Sequence, residues 1–134
     1  MPFRKSDQGG AAAVEFVLIF PLLLLILWSI VDFGLLLNAR LVVTTAAREG
    51  ARRAAVEGGA SPAVLSRIKE LLQAGGLEPD RTEVEIGPER AAYGSNITLR
   101  VTYPYPLKTA LGQVLGYRAV KLTAQVTTRS EKLR

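Results

Sequence analysis

The hydrophobic and polar positions of this chain change period along its length. In the stretch from Phe16 to Leu37, Asp32 is the only charged residue, and apolar residues cover every side of the helix it would form. These 22 residues correspond to about 33 Å of α-helix, close to the thickness of a bilayer core. The first part of the sequence therefore predicts a transmembrane helix, with residues 14–37 in the membrane.

The helical pattern continues beyond the membrane. After Asn38 small and charged residues replace the apolar run, and the pair Gly58-Gly59 is a helix-ending signal. We predict one helix over residues 11–57, about 70 Å long, with a kink at Pro21, which lacks an N–H to donate. Small residues recur every fourth position on two stripes and would let another element approach closely: Ala46, Gly50 and Ala54, and Ala47, Ala51 and Ala55.

The region after residue 58 predicts a small head of mixed structure. Ser61 is a candidate N-cap, and Pro62 occupies the first position of a short second helix. Apolar residues then alternate with polar ones in three segments, which is typical of half-buried antiparallel strands: Thr82–Ile86, Asn96–Tyr103 and Ala119–Thr128. Residues 104–116 form the linker between the last two segments, and they are too rich in proline and glycine to be a strand themselves.

The head, residues 58–134, is too short to build a thick core alone. We expect its three-stranded sheet to pack on the Ala-rich half of the long helix, where the small residues leave room. The predicted fold class is α+β. It combines a long kinked N-terminal helix that forms membrane span and stem, a second short helix, and a small antiparallel sheet packed on the stem.

Composition argues against catalysis. The chain has no cysteine and no histidine, so it lacks thiol nucleophiles, imidazole bases and the usual zinc ligands. Its acidic pair, Glu83 and Glu85, falls on the exposed face of an alternating strand, and no glycine-rich phosphate loop follows a strand. We predict no enzyme activity, no catalytic residues, no cofactor and no metal.

The net charge of +5 is compatible with acidic lipid or nucleic acid. The cluster of Arg48, Arg52 and Arg53 has no interleaved aromatic residues for base stacking. A solvated basic helix face is the simpler interpretation of this cluster, so we do not expect nucleic acid as a partner. Membrane lipid is an expected partner because of the apolar span.

Glu15 is an unusual residue so close to a membrane span. A carboxylate there costs several kcal/mol unless it is paired or reaches water. It can snorkel towards Gly10, or the chain can be cut after Gly10. In the second case the new amine of Ala11 lies four residues away, on the same helix face. An ion pair between that amine and Glu15 of the same or a neighbouring subunit would fix the subunit register.

Asp32 is the second carboxylate of the apolar run. An acidic residue inside a membrane span is a functional hypothesis by default. Asp32 lies near the far end of the span, however, where it can reach water or pair with Arg40 of a neighbouring subunit. Both interpretations stay open, and the second predicts that Asp32→Leu disturbs subunit association.

The N-terminal residues resemble a known signal. A charged leader ending in Gly10, the following AAAVEF and a long apolar helix with Pro21 are similar to the class III signal of type IV pilins and pseudopilins. With Asp32-Phe33-Gly34 and the segment AAREGAR at residues 46–52, the chain resembles TadE-like pseudopilins of tight-adherence (Flp) pilus systems. The resemblance covers residues 9–56.

This resemblance implies a structural, pilin-like subunit needed to assemble a pilus. A prepilin peptidase would cut between Gly10 and Ala11, so that residues 1–10 are a leader. Glu15 and Phe16 would serve subunit register and assembly. The implied partners are other pilin and pseudopilin subunits, the prepilin peptidase and the inner-membrane assembly platform. The implied location is the inner membrane, single-pass, with an extracytoplasmic C-terminal head that can enter a surface pilus.

Charge distribution opposes this orientation. Two cationic residues, Arg4 and Lys5, precede the span, and four follow it closely: Arg40, Arg48, Arg52 and Arg53. The positive-inside rule favours the opposite topology, although it holds best for short loops, and more than ninety residues follow the span. We keep the head outside. The alternative functions are a minor pilin whose basic head binds DNA or a surface, an uncleaved signal-anchored scaffold, and a secreted domain behind a signal peptide.

Overall fold

The computed structural model describes residues 7–107 and 110–133. Three helices and three strands follow one another in the order α1, α2, β1, β2, α3, β3. Their bounds are α1 Asp7–Glu57, α2 Pro62–Ala74, β1 Glu83–Gly87, β2 Asn96–Pro106, α3 Ala110–Leu115 and β3 Ala119–Arg129. The predicted α+β fold with a long N-terminal helix, a short second helix and a three-stranded sheet is confirmed.

Helix α1 has 51 residues and is about 76 Å long. The two halves of this continuous helix lie in different environments. Its N-terminal half is exposed on all sides, whereas Ala39 is the first of its residues to be fully buried. From there to Ala55 one face of the helix lies under the head. The helix is continuous through Pro21, and a kink at that residue stays a prediction.

Helix α2 runs back along α1. The Ser61 side chain accepts a hydrogen bond from the backbone N–H of Val64, which confirms the predicted N-cap. The buried side chains of α2 are Val64, Ile68 and Leu72. The two helices pack closely, because a Cβ on Gly50 of α1 would lie 2.7 Å from the Ile68 side chain. A Cβ on Gly75 would likewise collide with Val42.

The sheet has the strand order β1-β2-β3, and both neighbouring pairs are antiparallel. Its inner face buries Ile97, Leu99, Val101 and Tyr103 of β2 together with Leu122 and Ala124 of β3. Its outer face is polar, with Arg100 bonded to Glu85 of β1 and Gln125 of β3. The predicted alternation of apolar and polar positions is therefore confirmed in all three strands.

The core lies between α1, α2 and the sheet. Both small-residue stripes of α1 are buried: Ala46, Ala47, Gly50, Ala51, Ala54 and Ala55. At Gly50 the three layers meet, because the Leu99 side chain of β2 also lies 3.3 Å from the Cβ position. The predicted packing of the sheet on the Ala-rich half of the stem is confirmed.

One prediction about the head was wrong. Strand β2 extends to Pro106, beyond the predicted end at Tyr103, into the segment that was expected not to form a strand. The same segment contains helix α3, which the sequence pattern did not indicate. Prolines are tolerated in β2 because β1 pairs with it only as far as Thr102, so that its last residues have β3 on one side and an open edge on the other. Pro104 lies opposite Lys121 and Pro106 opposite Ala119. The alternating pattern stops at the first proline, so no periodicity indicated this extension.

The convergence at Gly50 predicts a steric penalty. We expect Gly50→Leu to destabilise the head by about 1–3 kcal/mol, because the larger side chain must displace the buried Ile68. For a domain of this size, each kcal/mol corresponds to roughly 4–8 °C in Tm. Thermal unfolding of the full chain in detergent, followed by circular dichroism, measures the shift.

Gly34→Leu is the matched control, since nothing lies within 4 Å of a Cβ at Gly34. We expect its Tm to stay close to that of the unmodified chain. Equal Tm values for the two variants would contradict the close packing of α1, α2 and β2 at Gly50.

Candidate functional site

The exposed half of α1 is the most unusual surface of the protein. Every residue from Gly9 to Trp28 is exposed, and this half of the helix is apolar enough to cross a membrane. A continuous apolar surface on all sides of a helix is stable in lipid, where all its backbone groups are paired within the helix. This segment is therefore a membrane anchor.

The expected cleavage site lies near the start of this anchor. Residues 1–6 of the predicted leader lie outside the described residues, whereas Asp7–Gly10 form the first turn of α1. Gly10 is exposed, and nothing lies within 4 Å of its Cβ position. Ala11 follows in the same helix, also exposed. The Gly10–Ala11 bond is thus at the frayable end of the helix, clear of the head.

Glu15 is exposed on the anchor, one turn after Ala11. Within the part of the chain that the structure describes, it forms no ion pair. Phe16 stacks on Phe20, with ring centroids 5.3 Å apart. None of the described residues of the head covers this end of α1, so any partner of Glu15 in the membrane would come from the chain's own N-terminus or from another molecule.

Asp32 lies in a different setting. It is half-buried at the base of the head, where it lines a cleft of about 250 Å³ with Leu35, Leu77 and Tyr105. Its Oδ2 atom is buried and has no hydrogen-bond partner among the described residues. The side chain is thus turned towards the head of its own chain, a position that the sequence pattern did not indicate.

The arginine cluster lies on the solvated face of the stem. Arg52 bonds to Glu49 at 3.2 Å, and Arg53 lies 3.5 Å from Glu57. Glu49 therefore pairs with Arg52, three residues ahead of it on the helix. The hydrogen bond from Arg52 holds the pKa of Glu49 below its ordinary value, and Glu49 raises the pKa of Arg52. Two of the three arginines are thus already paired within the chain.

The described residues offer little to catalysis. Within residues 7–107 and 110–133, no group of three acidic, histidine or cysteine side chains could hold a metal ion. A cleft of about 840 Å³ lies at the end of the head away from the anchor. Its lining carries charges of both signs, among them Glu57, Glu89, Arg90 and Lys132. The lining also includes Ser61, whose hydroxyl donates a hydrogen bond to Glu57.

Sequence reasoning missed the proximity of the base of the head to the anchor. Leu107 and Tyr117 line one cleft together with Ser29, Phe33 and Leu36 of α1, inside the predicted span. The residues involved lie some seventy to ninety positions apart in the chain, with no periodic pattern to connect them. The one available signal was the apolar composition of the linker around α3.

Comparison with known proteins identifies the anchor and the first part of the stem. The sequence profile described as TadE-like protein matches residues 10–52. No curated protein and no solved structure matches the chain. The match begins at Gly10, includes both membrane carboxylates and ends within the small-residue stripes.

The resemblance to TadE-like pseudopilins is thus confirmed over this segment. Such proteins are structural, pilin-like and associated with Tad pili, and they are anchored in a membrane. Residues 10–52 of this chain are therefore similar to TadE-like proteins, a family of minor pilin-like proteins associated with Tad pili.

Proposed function

We propose that this chain is a minor pilin or pseudopilin that is processed after Gly10 and assembles into a tight-adherence pilus through its exposed helix. The observation that carries the proposal is the division of α1 into an exposed apolar half and a half buried under the head. The exposed half can pass from lipid to the apolar helices of neighbouring subunits without a change in its own structure. The head then stays folded during the transfer.

Glu15 is the proposed determinant of register. It is the only charged residue between Asp7 and Asp32, and it lies far from every group of its own head. Cleavage after Gly10 would place a positive amine one helical turn away. In the apolar interior of a helix bundle, such a pair is favourable only at the correct axial offset, since any other offset leaves a charge buried alone.

The proposed location is the inner membrane, with the head on the extracytoplasmic side. The partners would be other pilin and pseudopilin subunits, the prepilin peptidase and the assembly platform. The apolar exposed anchor supports a bilayer location, and the family match supports pilus components as partners in general. The side of the membrane depends on the resemblance alone.

Cleavage predicts a defined product. When the full chain is produced in bacterial membranes, we expect a form beginning at Ala11 only if a prepilin peptidase is present. Intact mass and N-terminal sequencing identify the product. We expect Gly10→Leu to remain at full length, because a bulky side chain replaces the glycine at the scissile bond.

Gly34→Leu serves as the control for processing, since it makes the same change in a glycine far from the bond. It should be cut normally. A chain that begins at Met1 or Pro2 with and without the peptidase would instead identify an uncleaved, signal-anchored scaffold.

Glu15→Gln is expected to remove the mature protein from the assembled pilus fraction while its head remains folded. Loss of one partner from a buried charge pair costs about 2–5 kcal/mol, or roughly 30-fold or more in association. Co-isolation with other pilus subunits measures this loss, and circular dichroism checks the fold. Glu15→Asp, which keeps the charge, should retain part of the assembly.

The control for this variant is Glu83→Gln, which removes an exposed carboxylate from the outer face of the sheet. It should assemble like the unmodified protein. If Glu15→Gln and Glu83→Gln were isolated equally well with their partners, Glu15 would have no role in register.

Asp32→Leu is expected to weaken subunit association. The position of Asp32 in the structure means that a second measurement, of stability, is needed for this variant. Because Asp32 lines a cleft at the base of its own head, the melting temperature must be measured beside the co-isolation. Weaker association at an unchanged Tm supports a role between subunits. Asp80→Leu, an exposed acidic position of the head, is the control, and normal co-isolation of Asp32→Leu would contradict the role.

A further inference from the structure

The tip of the β2–β3 connection lies beside the membrane anchor. We define the hairpin tip as residues 112–117, the last part of α3 and the turn into β3. Leu115 and Tyr117 line a cleft of about 310 Å³ with Ser29, Phe33 and Leu36 of α1. These three stem residues lie inside the apolar run that ends at Leu37.

The hairpin tip is apolar and exposed. Val114 is 76% exposed, Leu115 62% and Tyr117 64%. No charged residue occurs from Ala110 to Tyr117. Elsewhere on the head the exposed strand positions are mostly polar, so this cluster is a local exception rather than the general character of the surface.

The hairpin tip is also a folded structure. A Cβ on Gly112 would lie 2.7 Å from the Cβ of Leu107 and 3.0 Å from the carbonyl oxygen of Tyr117, so only glycine allows this approach. Gly116 has a φ of +72° and turns the chain into β3. The Leu107 N–H donates a hydrogen bond to the Arg118 carbonyl, which closes the base of the connection. The exposed side chains are therefore held in place.

The surroundings of the hairpin tip suit a membrane surface. Trp28 is exposed on α1 immediately before Ser29, and tryptophan and tyrosine concentrate at membrane interfaces. Arg118 and Lys121 follow the tip and are exposed, as cationic groups facing acidic headgroups would be. Glu78, which lines the neighbouring cleft, is paired with Arg81 at 2.7 Å, and Asp32 of α1 lines both clefts.

We propose that the hairpin tip inserts Val114, Leu115 and Tyr117 into the headgroup and upper acyl region of the bilayer that α1 crosses. The inference rests on the proposed membrane span. If the span ends at Leu37, the stem residues beside the tip lie about 2–12 Å inside it at 1.5 Å per residue. Segments that lie in a membrane interface are buried to about 5–10 Å.

A second anchoring point restricts the head. A single helix allows the head to tilt and rotate freely about the membrane normal, whereas a helix and a lateral wedge define its tilt. The head would then present the same face to neighbouring subunits before assembly. On entry into a pilus the hairpin tip would have to leave the lipid, so this contact also opposes premature extraction.

The absence of cysteine makes a direct test simple. Single cysteines replace Val114 at the tip, Tyr93 at the far end of the head and Leu23 in the anchor, all exposed positions. Each is labelled with an environment-sensitive fluorophore in the full chain, reconstituted alone into vesicles of phosphatidylcholine and phosphatidylglycerol. Quenching by lipids with a nitroxide near the headgroup, and by aqueous iodide, is then measured.

We expect the label at position 114 to be quenched by the lipid nitroxide several-fold more strongly than the label at 93, and to be shielded from iodide. If lipid quenches the label at 23 but the label at 114 behaves like the label at 93, the hairpin tip does not insert into the bilayer. The membrane span itself would still stand. No lipid quenching at 23 would overturn the span itself. Shielding at 114 from both quenchers would mean that a second copy, and not lipid, covers the tip.

Discussion

The packing of the head on the small-residue stripes of α1 is the interaction on which the rest of the structure depends. The sheet and α2 together are too small for an independent core, and the stem supplies the third side. Alanine and glycine at these positions allow backbones to approach closely, so that Ile68 and Leu99 both reach Gly50. The head therefore cannot fold without the helix that also forms the anchor.

This shared helix couples the membrane to the head. An α-helix transmits position along its axis, because its backbone bonds resist bending except at interruptions such as proline. Pro21 is the only proline in α1 and lies in the exposed half, so the stem between the membrane and the head has none. Whatever sets the depth of the anchor also sets the height of the head above the bilayer, and hence which surfaces meet the lipid.

The two carboxylates of the anchor have different surroundings for the same reason. Glu15 lies where α1 has no companion within the chain, and its environment depends on lipid, water or another molecule. Asp32 lies where the head first reaches the helix, beside Tyr105 and Leu77. Both residues are single acidic residues among apolar neighbours in the sequence, yet their surroundings in the structure differ. The difference arises because elements far along the chain pack near Asp32 and not near Glu15.

The sequence alone determined the elements and their faces, since helix and strand periods, the Ser61 cap and the small-residue stripes are local patterns with local causes. It also indicated the candidate processing and register residues, because the resemblance of residues 9–56 to TadE-like pseudopilins implies cleavage between Gly10 and Ala11 and a register role for Glu15. Only the tertiary structure decided the extension of β2, helix α3, the orientation of Asp32 and the position of the hairpin tip beside the anchor. These features depend on contacts between residues distant in the chain, and no periodicity records such contacts.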